Sequence, residues 1–322
     1  MVLAPRGLVK LLEENRRPAL PTVGEPAPPP RDHARRFHAH EAAQPVYHGD
    51  KRFFGEGRLV IGAPTMKRAL YYLYERRLLT DVRSRALPQH LGMIQDGHRR
   101  YSREVGLGDL GEGYRLGATK TEAVLGWCLE LGIPMVTLWW LSLENLHRDP
   151  DDVAAVLEVI EAKMGEWVTD GFAMRSGIRI CPIGRLDLLP MSALRALRQA
   201  EAATREHERM VLNVGVGYSG RQEIVDAVRG YLEESSARGA SPEDMVGGLT
   251  PEAVEKYLYT YGCPDPDLII RTSGEIRLSG FMLWQSAFSE FYFSDAYWPA
   301  FRKIDFLRAI RAFQQRQRRF GR

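Results

Sequence analysis

From about residue 66 to the end, strand-like and helix-like stretches alternate, and no other feature of this chain restricts its fold so tightly. Leu70, Leu73, Tyr74 and Leu78 recur at three- and four-residue steps, with Arg76 and Arg77 opposite, so a helix is expected from Met66. A strand, His90 to Ile94, follows Leu87-Pro88. Helices are then expected over 115–131, 151–168, 191–205, 222–234, 251–259 and 304–318. Strands are expected over 135–141, 178–183, 211–216 and 268–270. The strands are short, near-continuous apolar runs, which suits a sheet buried on both faces by crossover helices. The expected fold class is α/β, a mainly parallel central sheet flanked by helices, and no internal repeat competes with it.

Residues 1–65 break this pattern and are read as an arm attached to a domain spanning 66–322. Leu8 to Glu14 has the length of one or two helical turns. Pro18, Pro21, Pro26, Pro28, Pro29 and Pro30 then lead into a basic tract with His33, His38, His40 and His48. Such a composition buries little, so disorder or loose attachment is expected. The histidines lack metal-site spacing and read as a solvated tract. Hydrophobic residues make up 44% of the chain, enough for a sizeable core in the remainder, and a net charge of +3 is too small to imply a nucleic-acid partner. Arg311, Arg316, Arg318, Arg319 and Arg322 crowd the last helix, which is commonly a solvated face. Three cysteines without C-x-x-C spacing point to a reducing, cytoplasmic setting. The apolar run Ile133 to Leu143 is too short to span a bilayer.

Chemistry-bearing residues gather where strands end. After Ile270 come Arg271, the polar turn Thr272-Ser273-Gly274, then Glu275, Arg277 and Ser279, with Ser279 placed to cap a short helix through Trp284. Arginines and hydroxyls at the carboxyl end of a strand suit an anion, and the forked guanidinium suits a diphosphate. The plainer alternative pairs Arg271 and Arg277 with Glu275 and Asp267 at the surface. After Ile94 comes Gln95-Asp96-Gly97-His98-Arg99-Arg100-Tyr101. Asp96 suits a hard cation, Gly97 a close backbone approach, and the arginines a phosphate, although Asp-Gly after a strand is also an ordinary turn. After Leu141 comes Ser142-Leu143-Glu144-Asn145-Leu146-His147-Arg148. Here Glu144 is expected to hold the loop and Asp149 to cap the next helix. Trp139 and Trp140, on the strand before it, point to opposite faces.

Together these segments resemble the cis-prenyltransferases, the undecaprenyl diphosphate synthase family. Arg271 to Glu290 resembles the family's R-T-S/G-G-E-x-R-x-S-N-F-x-x-W-Q stretch with its late glutamate, Asp96 to Tyr101 its D-G-N-R/G-R-W/Y loop, and Ser142 to Arg148 its S-x-E-N-x-x-R segment. Three departures stand out. His98 replaces an asparagine, Gly280 replaces the late asparagine, and Asp109-Leu110 stand where long-chain members carry an arginine. The second and third are similar to the short-chain (Z,E)-farnesyl diphosphate synthase branch.

The resemblance implies Mg²⁺-dependent condensation of an allylic diphosphate with isopentenyl diphosphate to give a Z double bond and a short product of ten to fifteen carbons. Asp96 with Gly97, His98, Arg99, Arg100 and Arg148 would serve the allylic diphosphate, and Arg271, Arg277 and Ser279 the isopentenyl diphosphate. Asp96 and Glu290 would hold Mg²⁺, the latter across a homodimer interface to which Phe291, Tyr292, Phe293 and Trp298-Pro299 contribute. Asn145 would position the reacting diphosphate or the departing proton. Trp140 would fill an apolar product tunnel and limit chain length, and an arginine in the tail Gln317 to Gly321 would reach the neighbouring subunit. Membrane contact would come through the product. His98 either still donates to phosphate or marks a retuned first site. Irregular coupling, terpene-synthase chemistry and a non-catalytic partner subunit remain the alternatives.

Overall fold

The computed structural model describes residues 64–169 and 171–316. The arm expected over 1–65 lies outside them except for Pro64 and Thr65, and so does the tail from Gln317. The described residues form six parallel strands: β1 (His90–Ile94), β2 (Met135–Ser142), β3 (Ile178–Ile183), β4 (Met210–Tyr218), β5 (Leu268–Arg271) and β6 (Glu290–Phe293). Their order across the sheet is β3-β4-β2-β1-β5-β6, so the direction of winding reverses at β1.

The helices are α1 (Pro64–Arg83), α2 (His98–Val105), α3 (Leu110–Leu131), α4 (Pro150–Val168), α5 (Phe172–Ser176), α6 (Met191–Thr204), α7 (Gly220–Ala237), α8 (Pro242–Gly247), α9 (Pro251–Glu255) and α10 (Lys303–Gln315). Both sheet faces are covered, as the unbroken apolar strands require. Leu268 and Ile270 of β5 enter the main core with Leu91, Met93, Leu138 and Val214. Ile269, between them, enters a second cluster with Ile94, Tyr218, Phe281 and Met282. Trp139 packs with that second cluster, and Trp140 packs against the main one, so the two indoles do take opposite faces.

The strands foreseen along the chain are present. Three local expectations are corrected. The helix expected from Ser279 to Trp284 is a run of turns, because Ser279 and Met282 sit at φ 55° and 47°, outside right-handed helical space; a 3₁₀ turn follows at Gln285–Phe288. The helix expected over 251–259 stops at Glu255. Helix α3 begins at Leu110 rather than Arg115, because the Asp109 carboxylate accepts from the Gly111 N–H and caps it there. Four elements were not foreseen, the short helices α5 and α8 among them. Helix α2 has no apolar periodicity to announce it and is bounded by Gly97 and Gly106 at φ 103° and 72°. Strand β6 is a four-residue edge strand whose aromatics read as surface.

Candidate active site

Parallel sheets bind ligands at the carboxyl ends of strands where the winding reverses. The carboxyl ends of β1, β2 and β5 here border a cleft of about 1050 Å³. Asp96 lines it. Its backbone N–H donates to Thr272 Oγ1 (2.9 Å), and its carbonyl accepts from the Thr272 hydroxyl (2.8 Å) and the Trp298 N–H (3.0 Å). The turn after β1 is thereby tied to the turn after β5. Gly97 is required twice over: it has positive φ, and a Cβ there would lie 2.6 Å from Tyr297 Cδ1.

Arg271 is 5% exposed and spans the two motifs. Its Nη2 donates to Asp96 Oδ2 (2.8 Å) and its Nη1 to Ser279 Oγ (2.7 Å). Arg100 donates to Ser273 Oγ (2.8 Å) and Glu275 Oε1 (2.9 Å) and faces Asp96 Oδ1 at 3.4 Å. Burial raises the Asp96 pKa, but the hydrogen bond and charge of Arg271 and the charge of Arg100 outweigh it and hold the carboxyl below its ordinary value. The surface-pairing alternative therefore holds for Arg277, which is exposed and pairs with Glu275, and fails for Arg271. Asp267 instead accepts from the backbone N–H groups of Gln89 and His90.

Asn145 lies on the 3₁₀ turn Glu144–His147, and its side chain lines the cleft. Glu144 accepts from the Ser219 hydroxyl (2.9 Å), which holds the loop as expected. Arg148 also lines the cleft; burial first, and the Arg99 charge next, lower its pKa. Arg99 pairs with Asp152 at the start of α4 (3.1 Å). The His98 ring is half-buried between α2 and α3, and burial pushes its pKa down to about 4 against the opposing pull of Asp96.

Trp140 packs on Trp167, with ring centroids 5.6 Å apart, and lines both the cleft and a smaller recess of about 50 Å³ beside it. Gly117, Ala118, Thr121, Val159 and Ile160 line only the recess. Trp140 thus stands at the junction of the two spaces, while those residues make the far wall.

Glu290 is not brought to this cleft. It opposes Leu268, three residues before Arg271 on the ladder, and accepts from Arg316 Nη1 (2.6 Å). Asp96 and Glu290 therefore do not meet within one chain. No group of three or more His, Cys, Asp or Glu positioned for a metal occurs among the described residues.

The structure adds residues that motif reading passed over. Arg103, Arg221, Ser219 and Leu283 line the cleft, and Glu275 bridges Arg100 and Arg277. Ser219-Gly220-Arg221 follows β4 as Asp96-Gly97 follows β1, and that position in the chain was the available signal. Seven arginines and three carboxylates line the cleft, so a chain of net charge +3 concentrates cations here. Such a surface favours multiply charged anions.

A family model described as putative undecaprenyl diphosphate synthase matches residues 94–321. An isoprenyl transferase of Thermus thermophilus is 50% identical over 257 residues, covering 80% of this chain and 97% of that protein. A (2Z,6E)-farnesyl diphosphate synthase of Thermobifida fusca is 49% identical over 252 residues, covering 78% and 97%. Among solved structures, lavandulyl diphosphate synthase from Lavandula x intermedia, in complex with dimethylallyl diphosphate, aligns with a TM-score of 0.66 at 31% identity. That alignment covers 73% of this chain and 99% of the other.

Proposed function

The chain belongs to the undecaprenyl diphosphate synthase family of cis-prenyltransferases, and from that premise we propose that it condenses a short allylic diphosphate with isopentenyl diphosphate, forming a Z double bond and a product of ten or fifteen carbons. The observation that carries this reading is the junction of an arginine-lined cleft with a small apolar recess. Two diphosphates need the first, and the second, at about 50 Å³, is the apolar opening at which a short hydrocarbon would enter.

Asp96, Gly97, Arg99, Arg100 and Arg148 border the place we assign to the allylic diphosphate. Arg271, Arg277 and Ser279 border the place we assign to isopentenyl diphosphate. Asp96 fits Mg²⁺: it is an ionised, cleft-lining oxygen donor, and Mg²⁺ is commonly held by one or two carboxylates together with substrate phosphates. Bound there, Mg²⁺ would offset charge on the departing diphosphate. Arg100 and Arg148 would do the same from the protein side as the allylic C1–O bond breaks. Isopentenyl C4 bonds to that carbon, and a proton leaves isopentenyl C2. Asn145 would orient the departing diphosphate or that proton.

We extend the proposal to a homodimer through the β6 edge, where exposed Phe288 lies beside half-buried Phe291 and Phe293. Glu290 would then serve the neighbouring subunit. We also keep the cytoplasm as the compartment, in accord with the free thiols of Cys128, Cys181 and Cys263. Membrane contact would come only through the product.

The test is mass spectrometry of products after incubation with Mg²⁺, isopentenyl diphosphate and, separately, dimethylallyl, geranyl or farnesyl diphosphate. Linear Z products of ten or fifteen carbons are expected from dimethylallyl or geranyl diphosphate, with farnesyl diphosphate a poor primer. A branched ten-carbon product from dimethylallyl diphosphate alone would favour the irregular coupling that the lavandulyl diphosphate synthase likeness keeps in view. No turnover with any primer would overturn the reading.

A further inference from the structure

His98 follows Gly97 directly and lines the diphosphate cleft, while its ring packs against α3. The ring rests on the backbone of α3 at Gly117, where an added Cβ would overlap both Nε2 and Cδ2 of the imidazole. Gly117 is itself held in place, because its carbonyl accepts from Trp298 Nε1 at 2.8 Å. Tyr114, one turn earlier on α3, lies against the same ring with centroids 5.4 Å apart. Neither His98 ring nitrogen has a hydrogen-bond partner among the described residues, whereas Arg100 and Arg271 are each anchored by several. His98, Tyr114 and Trp140 line both the polar cleft and the apolar recess. The ring therefore occupies the passage between them.

We propose that His98, seated on Gly117 and backed by Tyr114, forms the neck between cleft and recess and selects the allylic primer by its bulk rather than by binding phosphate. This rests on the proposed prenyl-transfer reading of the cleft. An apolar wall discriminates by volume, and one methylene more or less changes selectivity by about 10–200-fold. Interiors near crystal density leave little slack, so a smaller side chain at position 98 widens the neck for a longer chain. A phosphate ligand, by contrast, would affect every primer alike, since all carry the same diphosphate.

The experiment measures kcat/KM for geranyl and farnesyl diphosphate, at saturating isopentenyl diphosphate and Mg²⁺, for wild type, His98→Asn and His98→Ala. The expected result is a farnesyl-to-geranyl ratio raised about tenfold or more in His98→Ala, with His98→Asn intermediate. A uniform loss for both primers, or an unchanged ratio in folded variants, would overturn the neck. Gly117→Ala supplies an independent check on seating. It should shift the ratio toward the shorter primer by displacing the ring, and His98→Ala should suppress that effect in the double variant. Additive effects would show that the ring does not rest there. A wild type inactive with dimethylallyl, geranyl and farnesyl diphosphate alike would overturn the parent reading and this inference together; a wild type active with dimethylallyl diphosphate alone, or an active wild type with an unchanged ratio in the variants, would overturn this inference alone.

Discussion

Arg271 and Asp96 are joined by a 2.8 Å ion pair across the β1–β5 ladder, in which Arg271 is the register partner of Ile94. The pair unites two motifs 175 residues apart in sequence, and the same guanidinium holds Ser279. A single buried cation thus shapes both proposed substrate places.

Asp96→Asn should reduce turnover by about a hundredfold or more while preserving the fold, because it removes a charge that stabilises the reacting centre but keeps the size of the side chain. Steady-state turnover alongside circular dichroism checks this. A folded variant with near-normal turnover would remove Asp96 from the chemistry.

Arg277→Ala should raise the KM for isopentenyl diphosphate about tenfold, since a hydrogen bond to a charged group contributes roughly 1.5–3 kcal/mol. Arg271→Ala should raise it more and also lower thermal stability, because Arg271 is buried and Arg277 is exposed. If the allylic KM alone rose in both variants, the two substrate places would be reversed.

Trp140→Ala should lengthen the product by at least one five-carbon unit. The indole stands at the junction of cleft and recess, supported by Trp167, and its removal frees space unless the wall collapses inward. Product length under excess isopentenyl diphosphate decides the matter. A folded variant that makes the same short product would count against Trp140 as a limiter.

Glu290→Ala should impair turnover although Glu290 lies outside its own chain's cleft, if the proposed homodimer delivers it to the neighbour. Mixing Glu290→Ala with Asp96→Asn subunits should then recover part of the lost activity. Simple averaging of the two variants' rates would refute delivery across an interface.

Stability should fall as pH drops from about 6.5 to about 4, because burial lowers the pKa of half-buried His98 and of His90 alike, and the clearest structural case is His90. This fully buried ring accepts from the Thr137 hydroxyl at Nε2 and donates from Nδ1 to the Pro264 carbonyl, while Asn213 Nδ2 donates to Thr137. A proton on Nε2 would set donor against donor. Burial lowers the His90 pKa from 6.5 to about 4 despite the nearby Asp267 carboxylate. The unfolded chain therefore binds the proton first, and folding loses up to about 3 kcal/mol across that window. The contribution of Asp96 is lost only at lower pH, because its pKa is held below the ordinary carboxylate value. The thermal midpoint against pH is the measurement. A flat profile between pH 7 and 4.5 would contradict it.

The parallel α/β class was legible from short apolar runs such as Leu268 to Ile270, whose lack of alternation requires cover on both faces. The cleft residues were legible too, because Asp96, Asn145 and Arg271 each lie at or just beyond the end of a strand, and a parallel sheet gathers those ends on one side. Other features depended on contacts distant in sequence. Helix α2 has no periodicity of its own and exists between two glycine caps. The Ser279–Trp284 segment has a capping residue and apolar neighbours, yet its backbone is bent out of helical space where Ser279 meets Arg271. The orientation of His98 depends on Gly117, nineteen residues on, which leaves room for a ring that no local pattern could direct. The parallel register of β5 and β6 sets Glu290 at the far end of the ladder from Arg271 and keeps it from Asp96 within one chain. Local pattern records which atoms are available and where strands end. Which side chain meets which is decided by packing between segments far apart in the chain, and that appears only when the sheet is assembled.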